Sequence, residues 1–357
     1  MALQIHEEWI PHIREILSAP GVTVVVGATD SGKTSFSAML ANSAVRAGVP
    51  AAVVDADMGQ SEIGPPAAIS MGLVDNEIQS LSDIVQRKLF FVGYTSPVSH
   101  FAPAIVGTKK MVDAAVQMGR TLVIVDTTGF VRGDLARRLK TYKLQMLEPR
   151  HIVALQRKGE AEHFLRLFDT WAGCSVHRLP VAERAHIKPR PLRTQRRAVK
   201  FYEYFRESRE HTFLFQKTAT SGTMLGTGIP LLPKYLKFAE RSLASDVLYG
   251  EAVDGGIYLV LSGGYNKQGI AELYEHFRTK NINLVASTDY ANLVVGLTDE
   301  NLETLALGII QKIDFRAGAV SVITPLKSAD PIRSIAFGEL KIRDDGTEIG
   351  RLPAGEF

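Results

Sequence analysis

The sequence predicts an α/β protein: a parallel sheet flanked by helices, followed by a smaller β-rich C-terminal domain. Two observations carry this. Over the first half, short apolar runs alternate with helix-length amphipathic segments, the pattern of a doubly wound sheet. After Thr218 the chain turns Gly-rich, with short β-like runs separated by turn signals such as Asp254–Gly255–Gly256 and Asp345–Gly346. The two domains are placed at 1–219 and 220–357.

The elements follow in order. Ile5, Trp9, Ile10, Ile13, Ile16 and Leu17 recur at helical spacing, and Pro20–Gly21 ends that helix. Val22–Val26 is β-branched and almost wholly apolar, which suits a buried parallel strand. Ser35–Ala47 reads as a helix stopped by Gly48. Strands are expected at Ala51–Val54, Leu89–Val92, Thr121–Val125, His151–Leu155 and Ser175–Leu179. Helices are expected at Ala102–Met118, Asp134–Leu147 and Glu160–Trp171. Ile187–Arg209 is basic and aromatic, and Pro189 and Pro191 place its helix start near Arg193. Further strands are expected at Ile257–Leu261, Leu284–Ser287, Ala291–Val295, Ala319–Ile323 and Ile332–Phe337.

Composition narrows the class. The chain has 357 residues, 45 % hydrophobic and 22 % charged, the range of a globular protein with a core. One cysteine, Cys174, excludes an intrachain disulfide and a Cys-based zinc site, and reads as a small core residue. No apolar run reaches the roughly 18–20 residues of a membrane span, and the charged start does not read as a signal peptide. A cytoplasmic protein is expected. The nine histidines include no H-x-x-x-H pair, and His100 and His211 are read as ordinary surface residues. The net charge of +3 hides a skew, for residues 131–210 hold 19 Lys/Arg against 9 Asp/Glu. Such a stretch either attracts a polyanion or covers solvated helix faces.

The chemistry begins at Gly27–Ala28–Thr29–Asp30–Ser31–Gly32–Lys33–Thr34, which matches G-x-x-x-x-G-K-[ST] between a strand and a helix. Gly27, Thr29, Asp30, Ser31, Gly32, Lys33, Thr34 and Ser35 are therefore the expected nucleotide contacts. In such a loop backbone N–H groups and a helix N-terminus cradle phosphates. Lys33 is expected on the β- and γ-phosphates and Thr34 on Mg2+. ATP or GTP binding follows. A carboxylate must stand on a neighbouring strand end. Asp55 and Asp57, two residues apart and on one side of an extended strand end, supply one pair, and Asp126 another candidate. Asp55 and Asp57 are expected at the metal, with a proton-accepting role open to one of them.

Together these blocks resemble the polynucleotide 5′-hydroxyl kinase family, the P-loop kinases of mRNA cleavage, tRNA splicing and rRNA processing. GATDSGKT resembles the family loop, including Thr29–Asp30, and VDADMGQSEIGPP its Asp-x-Asp-x-Gly-Gln block. FVGYTSP at 91–97, IVDTTGFVRG at 124–133 and the Arg/aromatic stretch 193–205 resemble three further blocks. The resemblance spans roughly residues 22–205 and implies a P-loop NTPase fold with an arginine lid near 184–209. It implies transfer of the ATP γ-phosphoryl group to the 5′-OH end of RNA or DNA, with Mg2+. It makes Asp57 the catalytic carboxylate and Lys33, Arg193 and Arg197 its catalytic companions, with Arg196 and Lys200 as a competing pair at the same spacing. Gln60, Thr95 and Thr127 would contact the substrate, and Phe130 would stack on a terminal base where many relatives carry Trp. Eukaryotic relatives carry an extra domain ahead of the loop. Here about 21 residues precede the first strand, so a compact enzyme without an obligatory protein partner is expected.

Three other readings share the loop. A GTPase or ATPase switch would fit Asp126–Thr127–Thr128–Gly129, but its guanine-reading motif is matched only by Asn266–Lys267–Gln268–Gly269, without the Asp. A kinase of nucleosides or other small alcohols would not need the broad basic stretch. A non-catalytic RNA-binding subunit would not need Lys33, Thr34, Asp57 and the lid arginines intact.

Overall fold

The structure, a computed structural model, describes residues 7–181 and 189–352. The chain divides into two compact units, Met1–Phe201 and Tyr202–Phe357. The division falls ahead of the 219/220 boundary drawn from composition. Strands β8 (Arg209–Leu214) and β9 (Ala219–Ser221) pair with strands of the second unit, which draws the intervening chain there.

The first unit holds β1 (Val22–Gly27), β2 (Ala51–Ala56), β3 (Ala68–Val74), β4 (Gln86–Phe91), β5 (Leu122–Thr127), β6 (His151–Gln156) and β7 (Ser175–Pro180). Their order is β4-β3-β2-β5-β1-β6-β7. The β2, β5, β1, β6 and β7 ladders are parallel, while β3 runs antiparallel to both β2 and β4. The central strands β1, β2 and β5 are buried on both faces, and their runs of Val, Ile and Ala satisfy two apolar layers at once.

One layer packs under α3 (Phe101–Gln117) and α4 (Gly133–Leu147). The other packs under α1 (Ile10–Ser18) and α2 (Lys33–Arg46), where Trp9 and Phe36 meet edge to face at 5.4 Å. Helix α5 is shorter than expected, Glu162–Leu165. Beyond it Phe168, Trp171 and Cys174 each donate to the carbonyl three residues back, a string of tight turns rather than an α-helix. Cys174 is half-buried there, and desolvation pushes its thiol up to about 11. Helix α6 (Arg190–Phe205) begins three residues before the expected start. Pro191 lies in its first turn, where a missing N–H breaks no bond. The front of the expected lid, residues 182–188, lies outside the described residues.

The second unit contains β10 (Ile229–Pro230), β11 (Val247–Val253), β12 (Gly256–Leu261) and β13 (Asn281–Ala286) in one sheet. Helices α7 (Pro233–Leu243) and α8 (Gly269–Phe277) cover its apolar face. Strands β14 (Leu293–Thr298), β15 (Thr304–Asp314), β16 (Ala319–Thr324), β17 (Ser334–Ile342) and β18 (Glu348–Arg351) form antiparallel ladders, β8 joining β16. Asn266–Gly269, the weak match to a guanine reader, lies at the start of α8. No helix among the described residues is long and apolar enough to cross a membrane.

Candidate active site at the P-loop

Strand β5 lies between β1 and β2, and this register assembles the site. Asp126 stands opposite Val25 on one side and Asp55 on the other, so the acidic strand ends meet the loop that leaves β1. That loop turns sharply. Gly32 sits at φ 90°, in the left-handed region that favours glycine, and caps α2. Lys33 is buried and donates to the Ala28 carbonyl at 2.9 Å, which holds its ammonium across the mouth of the loop. Thr34 donates to Asp126 Oδ2 at 2.7 Å. The Ser31 hydroxyl is buried with no partner among the described residues, and Ser35 is exposed on the first turn of α2. Asp30 adopts φ 56°, and its carbonyl accepts from Arg157 Nη2 at 3.0 Å.

The two carboxylates after β2 have different surroundings. Asp55 is buried, and its oxygens are taken up by the turn that follows. Oδ1 accepts from the Asp57 amide, and Oδ2 accepts from Ser61 and from the Glu62 and Ile63 amides. Burial, then Asp126, raises its carboxyl to about 8. Asp55, expected at the metal, is thus placed as the organiser of the 57–63 turn. Asp57 is half-buried, and only its Oδ1 is engaged, by the Gly59 and Gln60 amides at 3.1 Å each. Among the described residues no donor reaches its Oδ2.

Asp126 is the orphan of the site. It is 3 % exposed, and among the described residues its Oδ1 has no hydrogen-bond partner. Burial raises its carboxyl to about 6, opposed by Lys33 and the Thr34 hydroxyl. A buried carboxylate oxygen without a donor, bonded on its other side to a P-loop threonine, is the oxygen-ligand chemistry that a hard divalent cation takes. Thr34, Asp126 and the open side of Asp57 fit Mg2+.

Thr127, expected at the substrate, is placed in the core instead. Its buried hydroxyl donates to Val25 O at 2.8 Å and accepts from Lys140 Nζ at 2.8 Å. Strand alternation turns residue 127 away from the side that Asp126 faces. Lys140 also donates to Thr128 O at 2.8 Å. It is 1 % exposed, and burial holds its ammonium well below the ordinary lysine value. Lys143, one turn on, is 2 % exposed and pushed down to about 8 by burial, with the Asp57 charge opposing. These two lysines were counted with the basic surface in sequence. They are instead buried amines behind the acidic cluster, and only their i, i+3 spacing on an otherwise amphipathic helix signalled it.

The lid helix is tied to the same turn. Gln60 Nε2 donates to the Arg193 carbonyl at 3.3 Å, and Lys200 Nζ to the Glu62 carbonyl at 3.0 Å. Arg193, Arg197 and Lys200 are half-buried along α6, and Arg196, between Arg193 and Lys200 on the helix surface, is exposed. Thr95 is half-buried, and its carbonyl lies 2.7 Å from where a Cβ on Gly59 would stand, so the 93–97 loop abuts the Asp57 turn. Beside the P-loop a cleft of about 520 Å³ is lined by Ala28, Thr29, Gly129, Phe130, Arg132, Arg157 and Lys158 among others. Phe130 is half-buried there, its ring shared between the core and the cleft. Arg132, Arg157 and Lys158 were legible only as part of the charge skew.

Residues 27–207 match the family model described as mRNA cleavage and polyadenylation factor CLP1 P-loop. A polyribonucleotide 5′-hydroxyl-kinase of Methanocaldococcus jannaschii is 33 % identical over 331 residues, covering 92 % of this chain and 89 % of that protein. One of Pyrococcus furiosus is 32 % identical over 339 residues, covering 94 % and 92 %. The solved structure of Clp1p with Pcf11p superposes with a TM-score of 0.60 at 12 % identity, covering 92 % of this chain and 77 % of that one, which bears on the fold alone. The chain carries a nucleotide-binding P-loop and belongs to the CLP1 P-loop family.

Proposed function

We infer that this protein is an ATP-dependent polynucleotide 5′-hydroxyl kinase that uses Mg2+ and acts on RNA ends. The observation that carries the reading is Asp57 itself. It is a half-buried carboxylate with one oxygen fixed by two amides and the other open, set at the end of the strand two places from the P-loop strand. The names of the archaeal relatives, which cover nearly the whole chain, support RNA as the acceptor.

The chain's own groups divide the work. Backbone amides of residues 28–34 and the N-terminus of α2 bind the triphosphate. Lys33 moves from the Ala28 carbonyl to the β- and γ-phosphate oxygens. Thr34, Asp126 and Asp57 would hold Mg2+, which would supply neutralisation of phosphate charge. Asp57 accepts the proton of the 5′-hydroxyl as its oxygen bonds to the γ-phosphorus and the bond to the β-phosphate oxygen breaks, leaving ADP and a 5′-phosphate end. Arg193 and Arg197, on the face of α6 that Gln60 and Lys200 tie to the Asp57 turn, supply counter-charge to the moving phosphoryl group. Thr95 lines the acceptor's path, and Phe130 offers a π-face to a base. Arg196, exposed, would meet the backbone further along the strand.

The test offers γ-labelled ATP or GTP with 5′-hydroxyl RNA, 5′-hydroxyl DNA and free nucleosides. The expected result is label on RNA from ATP, with nucleosides left unlabelled. Nucleosides labelled as fast as oligonucleotides would make this a small-alcohol kinase. Hydrolysis without any transfer would make it a switch.

A further inference from the structure

At the far edge of the first unit's sheet, three histidines and a glutamate converge from separate elements. His12 and Glu15 lie one turn apart on α1, His151 opens β6, and His177 sits in the middle of the neighbouring strand β7. Their contacts form a chain. His151 Nε2 lies 2.9 Å from the Ala19 carbonyl, His151 Nδ1 lies 3.1 Å from His177 Nε2, and His177 Nδ1 lies 3.1 Å from His12 Nδ1. Glu15 Oε2 lies 3.8 Å from the same His177 nitrogen.

The carbonyl at one end sets the protons. A carbonyl only accepts, so His151 Nε2 carries the hydrogen. On a neutral ring His151 Nδ1 is then an acceptor and takes the hydrogen of His177 Nε2. His177 Nδ1 is left with a lone pair, aimed at His12 Nδ1 and Glu15. A ring whose distal nitrogen is fixed by a hydrogen bond, leaving the other bare, is how a metal-binding histidine is prepared. His177 is 4 % exposed, so little water competes for that nitrogen.

The spacing suits a small transition-metal ion. Two imidazole nitrogens at zinc-ligand distance around a tetrahedral centre stand about 3.3 Å apart, close to the 3.1 Å between His12 and His177. One ligand atom each from His12, Glu15 and His177 lies within 4.8 Å of the others. Two imidazoles and a carboxylate are a zinc donor set and a poor one for Mg2+.

We propose that His12, Glu15 and His177 form a Zn2+ site, with His151 orienting His177, that staples α1 to the edge of the sheet. The staple bears on the nucleotide loop through Trp9, just ahead of α1. Its Nε1 donates to Pro180 O at the end of β7, and its ring reaches 3.6 Å from where a Cβ on Gly32 would stand. The site is chemically separate from the oxygen ligands offered by Thr34, Asp57 and Asp126.

The test uses tag-free full-length protein equilibrated with Zn2+, passed through a chelating resin and assayed for metal by mass spectrometry. The expected result is one zinc per chain in the wild type and in Asp126→Asn. His12→Ala, which alters only a partly exposed ligand, should weaken binding by at least about 10-fold. The thermal midpoint of the wild type should rise with Zn2+ and that of His12→Ala should not. Bound Co2+ should show visible absorption that His12→Ala removes. Zinc well below one per chain in the wild type, or zinc unchanged in His12→Ala, would overturn the proposal. In that case the 3.1 Å contact is a histidine–histidine hydrogen bond and nothing more.

Discussion

Asp57→Asn is expected to slow phosphoryl transfer to a 5′-hydroxyl end by about 10²–10⁴-fold, the usual worth of a positioned general base, while nucleotide affinity stays within a few-fold. The split follows from what each Asp57 oxygen does. Oδ1 holds the Gly59 and Gln60 amides, and an asparagine carbonyl in that place accepts the same two bonds. The 57–63 turn therefore survives, and with it the Gln60 bond to the Arg193 carbonyl that ties the lid helix down. What is lost is the open oxygen, replaced by an amide NH2 that neither takes a proton nor draws a cation. Rapid-quench transfer rates and equilibrium nucleotide titration separate the two effects. Near-normal transfer in Asp57→Asn would remove this residue from the base role. The same substitution at Asp55 should instead disturb the turn, because both its oxygens accept backbone N–H groups and one end of an Asn amide can only donate.

Gly129→Ala is expected to weaken nucleotide binding by roughly 5- to 150-fold, the equivalent of about 1–3 kcal/mol of overpacking. Gly129 follows β5 and lies against the P-loop. A Cβ there would stand 2.3 Å from Thr29 Oγ1 and 2.6 Å from both Thr29 Cα and N. The last two are backbone atoms, so no side-chain rotation relieves the clash, and the loop that must present its amides to phosphate has to move. The rest of the fold is expected to hold, since no other atom within reach obstructs the methyl group as closely. Isothermal titration with ATP and Mg2+ reads the loss directly, and wild-type affinity would contradict the packing of residue 129 on the loop.

The P-loop was legible in the sequence because its geometry is local. The strand, the glycines and the helix are contiguous, and Lys33 and Thr34 sit where the spacing put them. The order in which strands lie side by side was not local, and it decides the site. Asp126 is brought to Thr34 by the register of β5 between β1 and β2, which no spacing encodes. Strand β3 escaped notice because Gly72 interrupts its apolar run. The glycine is required there, as a Cβ would stand 2.3 Å from Ile84 Cγ2. The alternation that placed Asp55 and Asp57 together held only to Ala56, where β2 ends and the chain turns.

Charge was the most misleading signal. Lys140 and Lys143 belong to the basic stretch in sequence but lie inside the unit, so the surface surplus is smaller than the count implies. The half-buried pair Arg193 and Arg197 could not be told from the exposed Arg196 by spacing until α6 was docked on the Asp57 turn. The histidine cluster carried no sequence signature at all, since its members come from α1, β6 and β7.

The most direct check on the kinase reading is the intact mass of a 5′-hydroxyl oligoribonucleotide after incubation with the protein, ATP and Mg2+. The account predicts a gain of one phosphoryl group, located at the 5′ nucleotide by fragmentation, with ADP formed one for one and no gain on an oligonucleotide that already bears a 5′-phosphate. An unchanged oligonucleotide mass alongside steady ATP hydrolysis would contradict it.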